Sequence, residues 1–362
     1  MKRALSIAHE AAPASVITLK EAGLRFSSDE KPGIQRLEQR GGFVYADHTG
    51  QRIKDPAVLA RIKALVIPPA WQEVWICAFE NGHIQATGRD ARGRKQYRYH
   101  ADWRAARDSS KFHRMTAFAT VLPRIRRQVT RDLALRGMPR NKVLATLVRL
   151  LEATLIRVGN EEYARQNHSF GLTTLRNRHV SVTSSGVVFT FTGKSGKKHV
   201  ISLQDRQLAR IVKRCQDMPG QELFTYVDDA GVSHNIGSQD VNDYLREIAG
   251  TDFTAKDFRT WTGSVLAAVA LRELGAAESV TQAKKNIVMA VEAVALKLGN
   301  TPAVCRKAYV HPEVLAAYLE GAVMEVQKAS ARAAAWHLRH DEKALLAFLG
   351  GRSSRTSNKR PH

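Results

Sequence analysis

Tyr309 lies in NTPAVCRKAYVHP, residues 300–312, a short basic stretch that Pro302 should start as a helix and Pro312 should end. A tyrosine there has two readings, a packed aromatic or a nucleophile that attacks phosphorus. A free phenol titrates near about pH 10, so the second reading needs positive charge close by to favour the phenolate. The chain is rich in such charge: 56 Lys and Arg stand against 34 Asp and Glu, a net charge of +22. A field of that sign and size fits a polyanionic partner, with nucleic acid the first candidate.

Other stretches carry weaker signals. In GRDARGRKQYRYHADWRAAR, residues 89–107 hold seven Lys or Arg against two Asp, with Tyr97 and Tyr99 interleaved. Guanidinium forks suit phosphate oxygens and aromatic rings pack on sugars or bases, so this segment reads as a DNA-contacting edge rather than a solvated face. FTGKSGKKH imitates the end of a phosphate-binding P-loop. That motif needs a glycine five residues before Gly193, where Val188 stands, and a helix afterwards, where a strand follows. The pattern leaves Lys194 at the tip of a tight hairpin, either an ordinary turn lysine or an ammonium group projected into a groove. Arg157, in LIRVGN at the end of an apolar helix, reads alone as a surface arginine with its stem along the core edge. Arg259, in AKDFRTWTGSVLAA, belongs to the first turns of another apolar helix, where it could pair with an acid or join an anion site. Asn300 and Thr301 can cap the helix that leads to Tyr309.

The elements that must position these residues fall into two groups. Residues 16–100 read as a strand-rich domain. GGFVYADHTGQRI predicts a hairpin turning at Asp47 to Gly50, and DPAVLARIKALVIPP a short helix stopped by its prolines. WQEVWICAFENGHIQATGRDARGRKQYRYH predicts a second hairpin, turning at Asn81 and Gly82. From Ser109 the apolar spacing becomes helical, with long segments in SSKFHRMTAFATVLPRIRRQV and NKVLATLVRLLEATLIRVGNEEYARQ. HVSV, GVVFTFT and KKHVIS interrupt them as a three-stranded antiparallel sheet. These readings divide the chain into a β-rich domain over 1–104, a mainly helical domain over 105–350 and a basic, disordered tail over 351–362, with a flexible joint near Asp102 to Asp108. Cys77, Cys215 and Cys305 form no C-x-x-C pair or zinc pattern, no run is apolar enough to span a bilayer, and the N-terminus does not read as a signal peptide. Reduced thiols and a cytoplasmic, nucleoid-associated protein are the expectation.

Taken in order, IPPAWQEVWIC, GRDARGRKQYRYH, LIRVGNEEYARQNHSFGLTTLRNRHV, FTGKSGKKH, KDFRTW and NTPAVCRKAYVHP resemble the type IB DNA topoisomerases, particularly their compact poxviral and bacterial branch. The resemblance runs from about residue 20 to 320. It implies an α+β fold: a small N-terminal β-sheet domain that clamps DNA, and a larger, mainly α-helical catalytic domain like that of the tyrosine recombinases. It also implies relaxation of supercoiled duplex DNA by transient single-strand cleavage, strand rotation and religation, with no ATP, metal or other cofactor.

By the same resemblance the catalytic group is Arg157, Lys194, Arg259, Asn300 and Tyr309. Tyr309 would form a 3′-phosphotyrosyl link, the arginines and Asn300 would hold the nonbridging oxygens, and Lys194 would protonate the leaving 5′ oxygen. Family members carry histidine or asparagine at the fourth position; asparagine donates a hydrogen bond but cannot act as an acid. Tyr163 matches a DNA-touching position and Lys256 a basic position that supports cleavage. Arg89, Arg92, Arg94, Lys95, Gln96, Tyr97 and Tyr99 complete the expected DNA contacts, and a monomer is implied because one chain carries the whole set. KDFRTW has Trp261 where many relatives have tyrosine, a change that should affect packing more than chemistry.

The alternatives are a tyrosine recombinase or integrase and a non-enzymatic DNA-binding architectural protein. Recombinases place a histidine three residues before the second arginine, where this chain has Lys256. An architectural protein gives no reason for the five residues to occur in this order.

Overall fold

The computed structural model describes residues 19, 22–39, 41–91, 93, 95–228, 230–326 and 336–357. Two compact units divide the chain, Met1–Lys111 and Phe112–His362.

The first unit is built on a five-stranded sheet. Its strands are β1 (Ile34–Gln39), β2 (Gly42–Ala46), β3 (Gln72–Ile76), β4 (Ile84–Arg89) and β5 (Lys95–Tyr99), in the order β2-β1-β3-β4-β5. Every neighbouring pair is antiparallel. Helix α1 (Pro56–Ala64) starts where Asp55 accepts a hydrogen bond from the Ala57 N–H, with Pro56 in the first turn. Its Ile62 joins Ile34, Val74, Ile76 and Ala86 in the small core. The basic segment is drawn into this sheet as β5, with Lys95 opposite Arg89.

One pairing differs from the sequence reading. The Asp47 to Gly50 turn is present, its Asp47 carboxylate accepting from the backbone of Thr49 and Gln51. Beyond it the chain returns by a single bridge, Ala46 to Arg52, and β2 pairs along its length with the preceding β1. Asp55 and Pro56 turn the segment into α1 before a second strand can extend.

Helix α2 (Ala101–Leu133) begins in the first unit and continues into the second, so the segment expected to be a flexible joint is helical. In the second unit α3 (Arg140–Thr154) is buried on nearly all sides, through Val143, Leu144, Leu147, Val148, Leu150 and Leu151. The sequence reading continues this helix to Arg157. The structure ends it at Thr154: Leu155 takes a left-handed conformation with φ 58°, and helix α4 (Glu161–Asn167) starts afresh from an Asn160 cap. Arg157 therefore stands in an irregular link between two helices, not on one.

Strands β6 (Val180–Val182), β7 (Gly186–Thr192) and β8 (Lys198–Gln204) form an antiparallel sheet in sequential order. Helix α5 (Arg206–Gln216), the β9–β10 hairpin (Thr225–Val227 and Ser233–Asn235) and α6 (Ser238–Ala249) follow. Then come α7 (Ala255–Leu274), α8 (Val280–Leu298), α9 (Pro302–Ala308) and α10 (Pro312–Leu319). Last is α11 (His340–Ser357), which carries helix into the stretch expected to be a disordered tail; residues 358–362 lie outside the described residues. One core joins these elements, with Trp261, Phe118, Phe189, Phe224 and Phe258 among its largest buried side chains. Trp261 does more than fill space, since its indole N–H donates to the Glu342 carboxylate at 3.3 Å.

Candidate active site

The helix break at Leu155 is what places Arg157. Its guanidinium, largely withdrawn from solvent, donates to the Asn300 side-chain oxygen. Arg259, on the first turn and a half of α7, is 4% exposed and donates to two backbone carbonyls, those of Leu155 and Leu298 (2.8 Å for the latter). Its guanidinium also lies 5.2 Å from the centre of the Tyr309 ring. The acceptors of the two arginines are thus one amide and two carbonyls. Burial, and then the repulsion of Arg259, lower the Arg157 pKa from the ordinary arginine value.

Two donors in this cluster are unused. Asn300 accepts from Arg157, so its Oδ1 faces that arginine and its Nδ2 points elsewhere. Among the described residues, neither Asn300 Nδ2 nor Arg259 Nε has a hydrogen-bond partner, and both atoms are buried. Buried polar groups without partners are costly, and a site holding two beside two guanidinium groups is suited to an anion with several oxygens.

The Tyr309 backbone is held in place from α7. Ser264 Oγ accepts from the His311 N–H at 2.9 Å and lies 3.2 Å from the Tyr309 carbonyl, to which it can donate. Gly263 permits this approach: a Cβ there would stand 2.6 Å from the Tyr309 carbonyl oxygen. Tyr309 itself is the C-cap of α9, whose Thr301 caps the other end through the Val304 N–H. Gly299, left-handed at φ 61°, closes α8 just before Asn300.

A cavity of about 380 Å³ opens over this cluster, lined by Arg157, Tyr163, Lys194, Lys256, Arg259 and Tyr309 among others. Lys194 reaches it from the tight turn between β7 and β8, where Ser195 is left-handed at φ 64° and the Gly193 N–H bonds the Lys197 carbonyl at 2.7 Å. Lys256 enters from the first turn of α7, and Tyr163 from α4. Four of the five residues read as catalytic meet at this cavity, and Asn300 joins them through Arg157.

The other expected DNA contacts belong to the first unit. Arg89 pairs with Glu73 at 2.9 Å, Lys95 with Asp29 at 2.7 Å, and Gln96 donates to Asp90 at 3.0 Å. Tyr97 is exposed and stacks on Tyr99, with ring centres 5.9 Å apart. Arg92 and Arg94 lie outside the described residues. Sequence reasoning missed Gly263 and Ser264, although a glycine and a serine in the apolar run TGSVLAA are a signal of close packing. It also gave no part to His199, which ends the quoted FTGKSGKKH.

Comparison with known proteins adds independent findings. Residues 100–335 match the family described as the catalytic core of eukaryotic DNA topoisomerase I, and residues 42–90 match the N-terminal domain of bacterial DNA topoisomerase IB. DNA topoisomerase 1B of Acanthamoeba polyphaga mimivirus is 32% identical over 302 residues, covering 81% of this chain and 90% of the viral protein. DNA topoisomerase 1B of vaccinia virus is 24% identical over 271 residues, covering 73% of this chain and 79% of its own length.

Proposed function

The chain belongs to the type IB DNA topoisomerases, and on that premise we propose that its residues Arg157, Lys194, Arg259, Asn300 and Tyr309 carry the cleavage and religation of one DNA strand. The observation that carries this assignment is the pair of unused buried donors, Arg259 Nε and Asn300 Nδ2, in a cluster of two guanidinium groups beside Tyr309.

In this reading Tyr309 gives up its phenolic proton to water, the phenolate being favoured by the adjacent Arg259 guanidinium, and its oxygen attacks phosphorus. A bond forms from Oη to phosphorus, the bond from phosphorus to the 5′ oxygen breaks, and the DNA is left with a 3′-phosphotyrosyl link. The pentacoordinate transition state carries extra negative charge on its nonbridging oxygens. Arg157, Arg259 and Asn300 supply fixed donors for those oxygens, and fixed donors in a site of low polarity are worth far more than the same groups in water. Lys194, on its short turn, gives a proton to the departing 5′ oxygen and takes it back on religation. Lys256 adds positive charge at the cavity mouth, and Tyr163 contacts the duplex. One link replaces another of similar energy, so the reading requires neither ATP nor a metal ion, and a single chain suffices.

The first unit would supply further contacts through Tyr97, Tyr99, Arg89, Lys95 and Gln96 on its β4–β5 edge. Those cations hold acids in the DNA-free protein, so phosphate would have to displace them. The clamp-like role of the first unit and the recombinase-like plan of the second belong to this same reading.

The test is plasmid relaxation in EDTA without ATP, comparing the wild type with Tyr309→Phe. The wild type should relax supercoils and leave protein covalently joined to DNA after denaturation. The variant should bind DNA and do neither. A Tyr309→Phe protein that still relaxes DNA would place the nucleophile elsewhere.

A further inference from the structure

His199, on β8, lies against the residues that precede two of those assigned to cleavage. A Cβ on Gly193 would stand 2.7 Å from the Cδ2 and Nε2 of its ring, and a Cβ on Gly299 would stand 2.6 Å from its Cε1. The ring therefore fills the space over both glycines. Gly193 is the residue before Lys194, and Gly299 the residue before Asn300. Phe191, opposite His199 on β7, stacks on the ring face with centres 5.1 Å apart and planes 18° apart. A second tie runs the same way: the Lys197 ammonium group approaches the Asn300 carbonyl at 3.4 Å.

We propose that His199 is a positioning residue for the cleavage step, its ring wedged between Gly193 and Gly299 so that the Lys194 turn is held in register with the Asn300 turn. The tip of this hairpin lies beyond the part of β7 that β6 pairs, where the Phe170 N–H also holds the Thr192 carbonyl at 2.8 Å, and an acid that must reach the leaving oxygen tolerates little misplacement. Histidine suits the wedge because its ring is flat and, when neutral, adds no charge to a site already crowded with cations. Burial first, and then the facing Arg157, Lys197 and Arg259, hold its pKa below the ordinary histidine value, which keeps it neutral at neutral pH.

The inference rests on Lys194 being the acid, and the experiment separates the two. Single-turnover cleavage is measured on a duplex with the normal 5′ oxygen and on one with sulfur at that bridge, because a thiolate leaves without a proton donor. Lys194→Ala should be slow on oxygen and largely recovered on sulfur. His199→Ala should show the same selectivity, with a loss on oxygen of about 10²-fold, the scale of a 1 Å misplacement. Gly193→Ala keeps the histidine but pushes its ring, so it should reproduce the defect. In the His199→Ala background the added methyl finds vacant space and should cost nothing more. If Lys194→Ala recovers on sulfur while His199→Ala and Gly193→Ala are equally slow on both substrates, the positioning role is overturned and the acid stands. If Lys194→Ala does not recover, the acid assignment falls and the inference with it. Should His199→Ala fail to fold, the Gly193→Ala comparison decides.

Discussion

Two buried arginine sites in the second unit have opposite surroundings. Arg126, on α2, is 5% exposed and bonds Glu152 and Glu342 through four contacts of 2.6–2.8 Å, with the His337 carbonyl as a third partner. Burial alone would lower its pKa, but the bonds and charges of Glu342 and Glu152 outweigh that and raise it. Arg157 and Arg259 are also withdrawn from solvent, yet they meet an amide, two carbonyls and each other, and the Arg157 pKa is lowered. The first cluster is complete within the fold and ties α11 to α2, α3 and α7 through Glu342, Glu152 and Trp261. Among the described residues the second has no acid bonded to its guanidinium groups, so an anion from outside can supply the counter-charge. A buried cation without an acid is a cost to stability that an arriving anion can relieve, and that asymmetry is the mark of a binding site.

Substitution should therefore separate the two sites cleanly. The largest effect on rate is expected from Arg259→Ala, which should slow strand cleavage by about 10²–10³-fold or more while leaving the thermal midpoint nearly unchanged, since lost hydrogen bonds offset relief of charge repulsion. A collapse of the midpoint would put Arg259 in the same class as Arg126. The largest effect on stability should come from Arg126→Ala, which takes the shared cation from two buried carboxylates, leaves Glu152 to the more exposed Arg339 and Arg149, and should cost about 3–5 kcal/mol in a urea titration. Where that variant remains folded, its cleavage rate should stay near wild type; a rate loss as large as that of Arg259→Ala would break the contrast.

The smallest effect is a pH dependence. His179 and His199 both have pKa values lowered from the ordinary 6.5, each by burial first and then by neighbouring cations. A depressed folded pKa contributes stability that is present above the unfolded value and lost as pH falls through the folded one. The urea midpoint should thus drop as pH falls below about 6.5, before the carboxylates titrate. His199→Ala should flatten part of that slope. An unchanged slope would mean that His199 is not held neutral by its surroundings.

Legibility followed the range of the interactions. The Pro302 helix start, the Asn81–Gly82 turn and the alternation in GVVFTFT depend on neighbours along the chain, and they are present as read. The β1–β2 pairing was missed because alternation marks a strand without naming its partner. The break after Thr154 was missed because an apolar run with helical spacing hides a single left-handed residue at Leu155.

By itself the sequence determined the chemistry on offer: a tyrosine, two arginines, a lysine and an asparagine in a telling order, within a strongly basic chain. Only the tertiary structure decided which cations are spent and which are available. Arg126, in LPRIRRQV, and Arg157, in LIRVGN, each follow an isoleucine, and neither stretch names the partner its arginine will meet. Arg126 finds Glu342, 216 residues away, whereas Arg157 finds Asn300, 143 residues away. Side-chain identity sets what a group can donate, but the desolvation and partners that fix its role come from segments the fold brings together.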